Sequence, residues 1–288
     1  MPQAIAARDR HARHAMIRSA PRAPAPTMSY RIFTSWITCP RPSPDARFRL
    51  FCLPFAGGGA STYRLWPSHL PPAVEVCPVQ LPGREERYRE PAFTSVIGLS
   101  RAVARELAPY LDRPFALFGH SMGALLAFEI ARALRHSGAA APAALLLAAY
   151  PEPAASSARV PIHHLPDADF IAEMRRLQGT PEAVLHNDEL MAFMLPILRA
   201  DFRACDTYRY TPGPPLDCPI VAYGGRDDRE VGPADLDAWR VHTTASFDRR
   251  LLDGNHFFVQ SQRDALLADV GGRLAAASEL HFGHGQAR

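Results

Sequence analysis

Residues 114–134 read PFALFGHSMGALLAFEIARAL, and this stretch decides the fold. Phe115 to Phe118 is an apolar run of strand length, Gly119-His120-Ser121-Met122-Gly123 follows, and from Ala124 to Leu134 apolar residues recur at helical spacing. The order is strand, sharp turn, helix. In that context G-x-S-x-G sets its serine on a tight, strained turn whose flanking positions leave no room for a Cβ. The hydroxyl then projects above a sheet and the next N–H faces a reacting carbonyl. Ser121 is therefore the candidate nucleophile and the Met122 N–H a candidate oxyanion donor. Without the flanking strand and helix, the pattern would be a glycine-rich turn carrying an incidental serine.

The chain has 288 residues, 47% of them apolar, enough for a full core in one large α/β domain or two small ones. It contains no uncharged apolar run of about 18 residues, and its most apolar stretch, Ala139 to Tyr150, is too short to span a bilayer, so no membrane association is expected. Cys39, Cys52, Cys77, Cys205 and Cys218 are scattered, with neither C-x-x-C nor a metal-type Cys/His spacing, so a reduced cytoplasmic compartment and no metal are expected. The chain has no lysine. Residues 1–27 carry Arg8, Arg10, Arg13, Arg18 and Arg22 against Asp9 alone, which leaves the remaining body close to neutral and removes the support for nucleic-acid binding by a basic face. This Ala-, Arg- and Pro-rich segment lacks the apolar centre of a secretory signal and only faintly resembles a transit peptide. It reads as a disordered extension before one domain over 28–288, with Met28 an alternative start.

Arg47 to Pro54 has strand character and runs into Phe55-Ala56-Gly57-Gly58-Gly59-Ala60-Ser61. That loop lacks the Lys-Ser/Thr ending of a phosphate-binding loop and the G-x-G-x-x-G spacing of a dinucleotide site. An oxyanion-hole loop fits better, with its second N–H near Ala56. Val74 to Gln80 reads as a strand containing Pro78, ending at the Pro82-Gly83 turn, and Val96, Leu99, Val103, Leu107 and Tyr110 recur at helical spacing. Ala143 to Ala149 is expected as a sixth strand, Pro219 to Gly224 as a later one and Phe247 to Leu252 as the last, followed by a helix over Asp264 to Ala276. Such alternation implies a mostly parallel sheet covered on both faces. Between about 151 and 216 it breaks into helical pieces at Asp167 to Leu177, near Glu182, and from Asp188 to about Tyr208. An insertion of that kind is expected to sit over the strand ends as a lid, with Pro196 kinking its longest helix.

A serine hydroxyl needs a histidine to take its proton and an acid to hold the imidazole in the right tautomer. Loops after two later strands supply both: Gly225-Arg226-Asp227-Asp228-Arg229-Glu230-Val231 and Asp253-Gly254-Asn255-His256. His256 is the expected base. The acid is Asp228 or its neighbour Asp227, with the spacing Gly225, Asp228, Val231 favouring Asp228. His120 is expected to point away from the Ser121 hydroxyl and to shape the pocket.

Taken together, LPFAGGGAS (53–61) with Trp66, LPGREER (81–87), FGHSMGA (118–124), LPILRADFRACDTYRY (195–210), CPIVAYGGRDD (218–228) and GNHFF (254–258) resemble the type II thioesterases of polyketide and nonribosomal-peptide synthesis, over roughly Phe48 to Ala275. The resemblance implies an α/β-hydrolase fold: a mostly parallel central sheet with helices on both faces and a helical lid insertion. It further implies a Ser121, Asp228, His256 triad with an oxyanion hole at Ala56 and Met122. Asn255, where a second glycine is common, departs from the pattern. No cofactor is expected, because the acyl group rides on the phosphopantetheine of an acyl or peptidyl carrier protein. Docking of that carrier is assigned to Arg64, Arg84, Arg87 and Arg89, and a monomer is expected. The alternatives are a general carboxylesterase, an acyl-CoA thioesterase, or a non-catalytic binding protein on the same fold.

Overall fold

The computed structural model describes residues 34–155, 160–177 and 185–283. The expectations for residues 1–27, Met28 and the helical piece near Glu182 lie outside the described residues. The strands are β1 (Phe48–Leu53), β2 (Val74–Pro78), β3 (Phe115–His120), β4 (Ala144–Ala148), β5 (Ile220–Gly225) and β6 (Phe247–Leu252). They form one sheet in the order β2-β1-β3-β4-β5-β6, with every neighbouring pair parallel. The α/β architecture expected from the sequence is therefore present, as a wholly parallel sheet. The run at Ala143 to Ala149 supplies the fourth strand, not the sixth, because among the described residues no strand precedes Phe48.

Period-two alternation assigns each strand residue to a face. Phe51, Leu53, Phe115, Leu117, Leu145 and Leu147 enter the core under α1 (Val96–Leu107) and α2 (Met122–His136). Phe48, Leu50, Ala116, Phe118, Leu146 and Ala148 enter the opposite core, with Tyr63, Trp66 and the terminal helix. Central strands buried on both faces have no polar side to show, which is why they read as continuous apolar runs. Pro78, which cannot donate to a ladder, sits in edge strand β2. The other edge, β6, is half-exposed and carries Asp248, Arg249 and Arg250. Charges there oppose pairing with another chain.

Between β4 and β5 lie α3 (Asp167–Leu177) and α4 (Asp188–Asp206), whose Phe170, Met174, Met191 and Leu198 form a third apolar cluster. Asn187 caps α4 by accepting from the Leu190 N–H. Pro196 lies inside α4 without ending it. Beyond the proline, Asp201 pairs with Arg84, and at the C-terminal end Asp206 accepts from the backbone N–H groups of Ile162 and His163. Beyond β5 come α5 (Pro233–Asp237), α6 (Phe258–Ser261) and α7 (Arg263–Gly283).

The turn from β3 into α2 is the tightest joint. Ser121 has φ 54° and ψ −121°, a conformation that a residue with a side chain rarely adopts. Its N–H donates to Ala148 O at 2.8 Å, tying the turn to the end of β4. A Cβ on Gly119 would meet Gly123 O at 2.0 Å, and one on Gly123 would meet Leu53 O at 2.1 Å. Both neighbours are backbone, so neither clash is relieved by a side-chain rotation. Gly123→Ala should destabilise the protein by roughly 3 kcal/mol or more, read as a lowered urea midpoint with an unchanged slope; wild-type stability would refute the packing described.

Candidate active site

In a parallel sheet the loops that leave the C-terminal strand ends share one edge. The turn after β3 brings Ser121 there, the loop after β5 brings Asp228 and the loop after β6 brings His256. His256 Nε2 lies 3.0 Å from Ser121 Oγ, and His256 Nδ1 lies 2.8 Å from Asp228 Oδ2. Of the two adjacent aspartates, only Asp228 reaches the imidazole. Its side chain is fully buried, and its Oδ1 accepts from the backbone N–H groups of Glu230 and Val231 at 2.8 and 3.2 Å. Burial alone would raise this carboxyl's pKa, but the His256 contact and the two backbone donors outweigh it and hold Asp228 below its ordinary range. Asp227 points to solvent and contributes a backbone N–H to Gly254 O at 3.0 Å. With Asp228 ionised, the proton of the imidazole rests on Nδ1, and Nε2 is left to accept from the serine hydroxyl.

His120 does not compete for that role. Its ring is fully buried, edge-on to Phe55 and Phe257, and its Nε2–H donates to the backbone carbonyl of His256 at 2.8 Å. Burial, reinforced by the neighbouring His256, lowers its pKa to about 3, so it stays neutral. His120 braces the loop that carries His256.

Ser121, His256, Ala56 and Met122 share the wall of one cavity of about 670 Å³. The β4–β5 segment contributes Ile162, Leu165, Met174, Leu198 and Phe202 to the same wall. Apolar groups therefore face the serine from above the strand ends. Among the described residues neither the Ala56 N–H nor the Met122 N–H donates to a protein acceptor. Both donors are free for a developing oxyanion.

The sequence motifs do not show what supports the Ala56 loop. Asp201 of α4 is 1% exposed, and its Oδ2 accepts from the Gly57 N–H at 2.7 Å and from Arg84 Nη1 at 2.6 Å, while its Oδ1 accepts from Arg84 Nη2 at 2.8 Å. Arg84 Nη1 also donates to Gly58 O at 3.2 Å. One forked ion pair thus grips the glycine loop from both sides and joins it to α4. The residues stood inside LPGREER and RADF, but nothing in either motif says that they face each other. Arg84 is accordingly 3% exposed, and Arg87, at 6%, donates to Gln80 O and pairs with Glu90. Both must be removed from the expected carrier-docking set, because internal acceptors take their donors. Arg64 and Arg89 are exposed.

A family model described as a thioesterase domain matches residues 48–274. The chain belongs to the thioesterase family. This thioesterase is 42% identical over 228 residues to the gramicidin S biosynthesis protein GrsT of Aneurinibacillus migulanus, covering 79% of this chain and 89% of that one. Among solved structures, it is similar to the RedJ thioesterase of the prodiginine pathway of Streptomyces coelicolor, at 43% identity and TM-score 0.75 over 79% of this chain and 90% of the other. It is also similar to the type II thioesterase BorB from the borrelidin biosynthetic cluster, at 40% identity and TM-score 0.77 over 86% and 99% of the two chains.

Asp201→Ala would leave the Arg84 guanidinium buried without a counter-charge and release Gly57. Loss of roughly 3–5 kcal/mol is expected in denaturant unfolding, whereas a change below about 1 kcal/mol would show that the pair behaves like a surface contact.

Proposed function

We propose that this protein is a serine thioesterase that hydrolyses acyl groups from the phosphopantetheine thiol of acyl or peptidyl carrier proteins, clearing stalled or misloaded polyketide and nonribosomal-peptide synthases. The observation that carries this reading is the imidazole of His256, which contacts Ser121 Oγ at 3.0 Å and Asp228 Oδ2 at 2.8 Å in a chain of the thioesterase family. Family membership and similarity to GrsT, RedJ and BorB support the substrate class.

In the proposed mechanism Ser121 Oγ attacks the thioester carbonyl as His256 Nε2 takes its proton. The developing oxyanion accepts from the Ala56 and Met122 N–H groups, an interaction worth roughly 3–4 kcal/mol per donor in comparable sites. Collapse expels the pantetheine thiolate, whose conjugate thiol has a pKa near ~8.5, so this departure needs little acid assistance. Water then enters, His256 takes its proton, and attack on the acyl-serine releases the carboxylic acid. Asp228 stabilises the imidazolium in both halves. Ser121, His256, Asp228, two backbone donors and water account for every step, so no cofactor is required.

In this reading the β4–β5 segment acts as the lid, and its apolar wall receives the acyl chain. Exposed Arg64 and Arg89 are left for an acidic carrier. Five free cysteines fit a reducing cytoplasm.

The reading is tested by presenting one acyl group on a carrier protein, on coenzyme A and as an alkyl ester. Carrier thioester should have the highest kcat/KM; preference for the ester or for coenzyme A would replace the proposal with one of those enzyme classes. In the same assay Asp228→Asn should lower kcat by roughly 10³- to 10⁴-fold and Asp227→Asn by less than about threefold. The reverse ranking would overturn the acid assignment.

A further inference from the structure

Before β1 the chain lies along the free edge of the sheet. Ile37 bridges Val79 in antiparallel sense, flanked by the Thr38 N–H donating to Pro78 O at 3.0 Å and the Gln80 N–H donating to Trp36 O at 2.8 Å. These two bonds make Ile37 and Val79 a non-hydrogen-bonded pair, and two residues further along the strap brings Cys39 beside Cys77. The two sulfurs lie within 4.8 Å of each other, and the Cys77 thiol donates to Glu75 O at 3.8 Å. Cys39 is partly exposed at the surface, whereas Cys77 is fully buried.

Glu75 places a carboxylate oxygen within the same 4.8 Å, so a cation bound by two sulfurs and an oxygen is the competing occupant. Two observations disfavour it. The carboxylate already accepts from Arg49 Nε at 2.8 Å and from the Ser43 N–H at 3.1 Å. The Arg49 guanidinium would also stand beside the added positive charge. A disulfide is neutral, so it adds no charge beside the Arg49–Glu75 pair.

We propose that Cys39 and Cys77 are an oxidisable dithiol that closes to a reversible disulfide, fastening the segment ahead of β1 to edge strand β2. With hydrogen peroxide as oxidant, the partly exposed Cys39 sulfur attacks one peroxide oxygen to give a sulfenic acid and one water. The Cys77 sulfur then displaces the hydroxyl from Cys39, forming the S–S bond and a second water. Two thiols lose two electrons and peroxide is reduced to two waters. The resulting covalent ring would enclose β1 and the whole glycine loop that carries Ala56. It would also tighten the segment bearing Trp36, over which the Arg87 guanidinium stacks at 3.9 Å while donating to Gln80 O at 2.9 Å. Gln80 Oε1 in turn accepts from the Ala60 N–H at 2.9 Å, so the strap, the turn and the loop are linked in series.

The test is to treat the purified full chain with hydrogen peroxide, cap remaining thiols with iodoacetamide, digest without reduction and map peptides by mass spectrometry. A linked Cys39–Cys77 peptide that dithiothreitol dissolves is expected, with a rise in Tm of roughly 5 °C in the oxidised protein. Cys39→Ser should remove both the link and the rise, and Cys77→Ala provides the second control. Three results would overturn the proposal: both cysteines remaining capped by iodoacetamide, Cys39 stopping as a sulfenic or sulfinic acid with no link, or the link forming without any change in Tm. Stoichiometric zinc in the native protein, lost in Cys39→Ser, would assign the site to a metal instead.

Discussion

The whole site depends on a backbone bend that only two glycines permit. Ser121 adopts φ 54° between Gly119 and Gly123, whose missing side chains let the turn press against the carbonyls of Gly123 and Leu53. The strain is held by structure on every side: the β3 ladder before it, α2 after it and the bond from the Ser121 N–H to Ala148 O. A relaxed turn would drop the hydroxyl into the sheet, away from the imidazole. The most local feature of the chain thus sets the geometry for residues that are 107 and 135 positions further along, at Asp228 and His256.

A second constraint acts at a distance. Asp201 belongs to a helix of the β4–β5 segment, yet its carboxylate holds the glycine loop after β1 together with Arg84. The wall above the serine and the loop bearing Ala56 therefore cannot shift independently without breaking a buried, bidentate ion pair. Buried pairs add little net stability, but losing one partner is costly, so such a contact specifies one arrangement against nearby alternatives. Any displacement of α4 relative to the glycine loop must either preserve this contact or break it.

The sequence made the sheet and the three site residues legible because they sit where the pattern is strongest. The central strands are buried on both faces and read as unbroken apolar runs, and each site residue follows one of them directly. Spacing from Gly225 to Val231 favours Asp228 over Asp227, and the structure explains it: Asp228 Oδ1 closes a turn onto the Glu230 and Val231 N–H groups, which aims Oδ2 at the ring. Side-chain direction was less legible. Arg84 and Arg87 read as surface charges because arginine usually is one, and only the fold reveals the carbonyls and carboxylates that draw them inward. Strand number is also less legible: among the described residues the first strand is Phe48–Leu53, so Ala144–Ala148 is the fourth. The Cys39–Cys77 approach left no trace in sequence spacing, because an antiparallel strap before β1 brings the two together.

The central claim is that one strained serine carries the acyl group between two bond-making steps. It is tested most directly by mixing His256→Ala with a carrier protein bearing a short acyl thioester, quenching early and locating any acyl mass by peptide mapping. The slow variant should release carrier thiol and accumulate one acyl group on the peptide containing Ser121, with water failing to clear it. Release of thiol with no acyl mass on that peptide, or with the mass on a cysteine, would contradict the account.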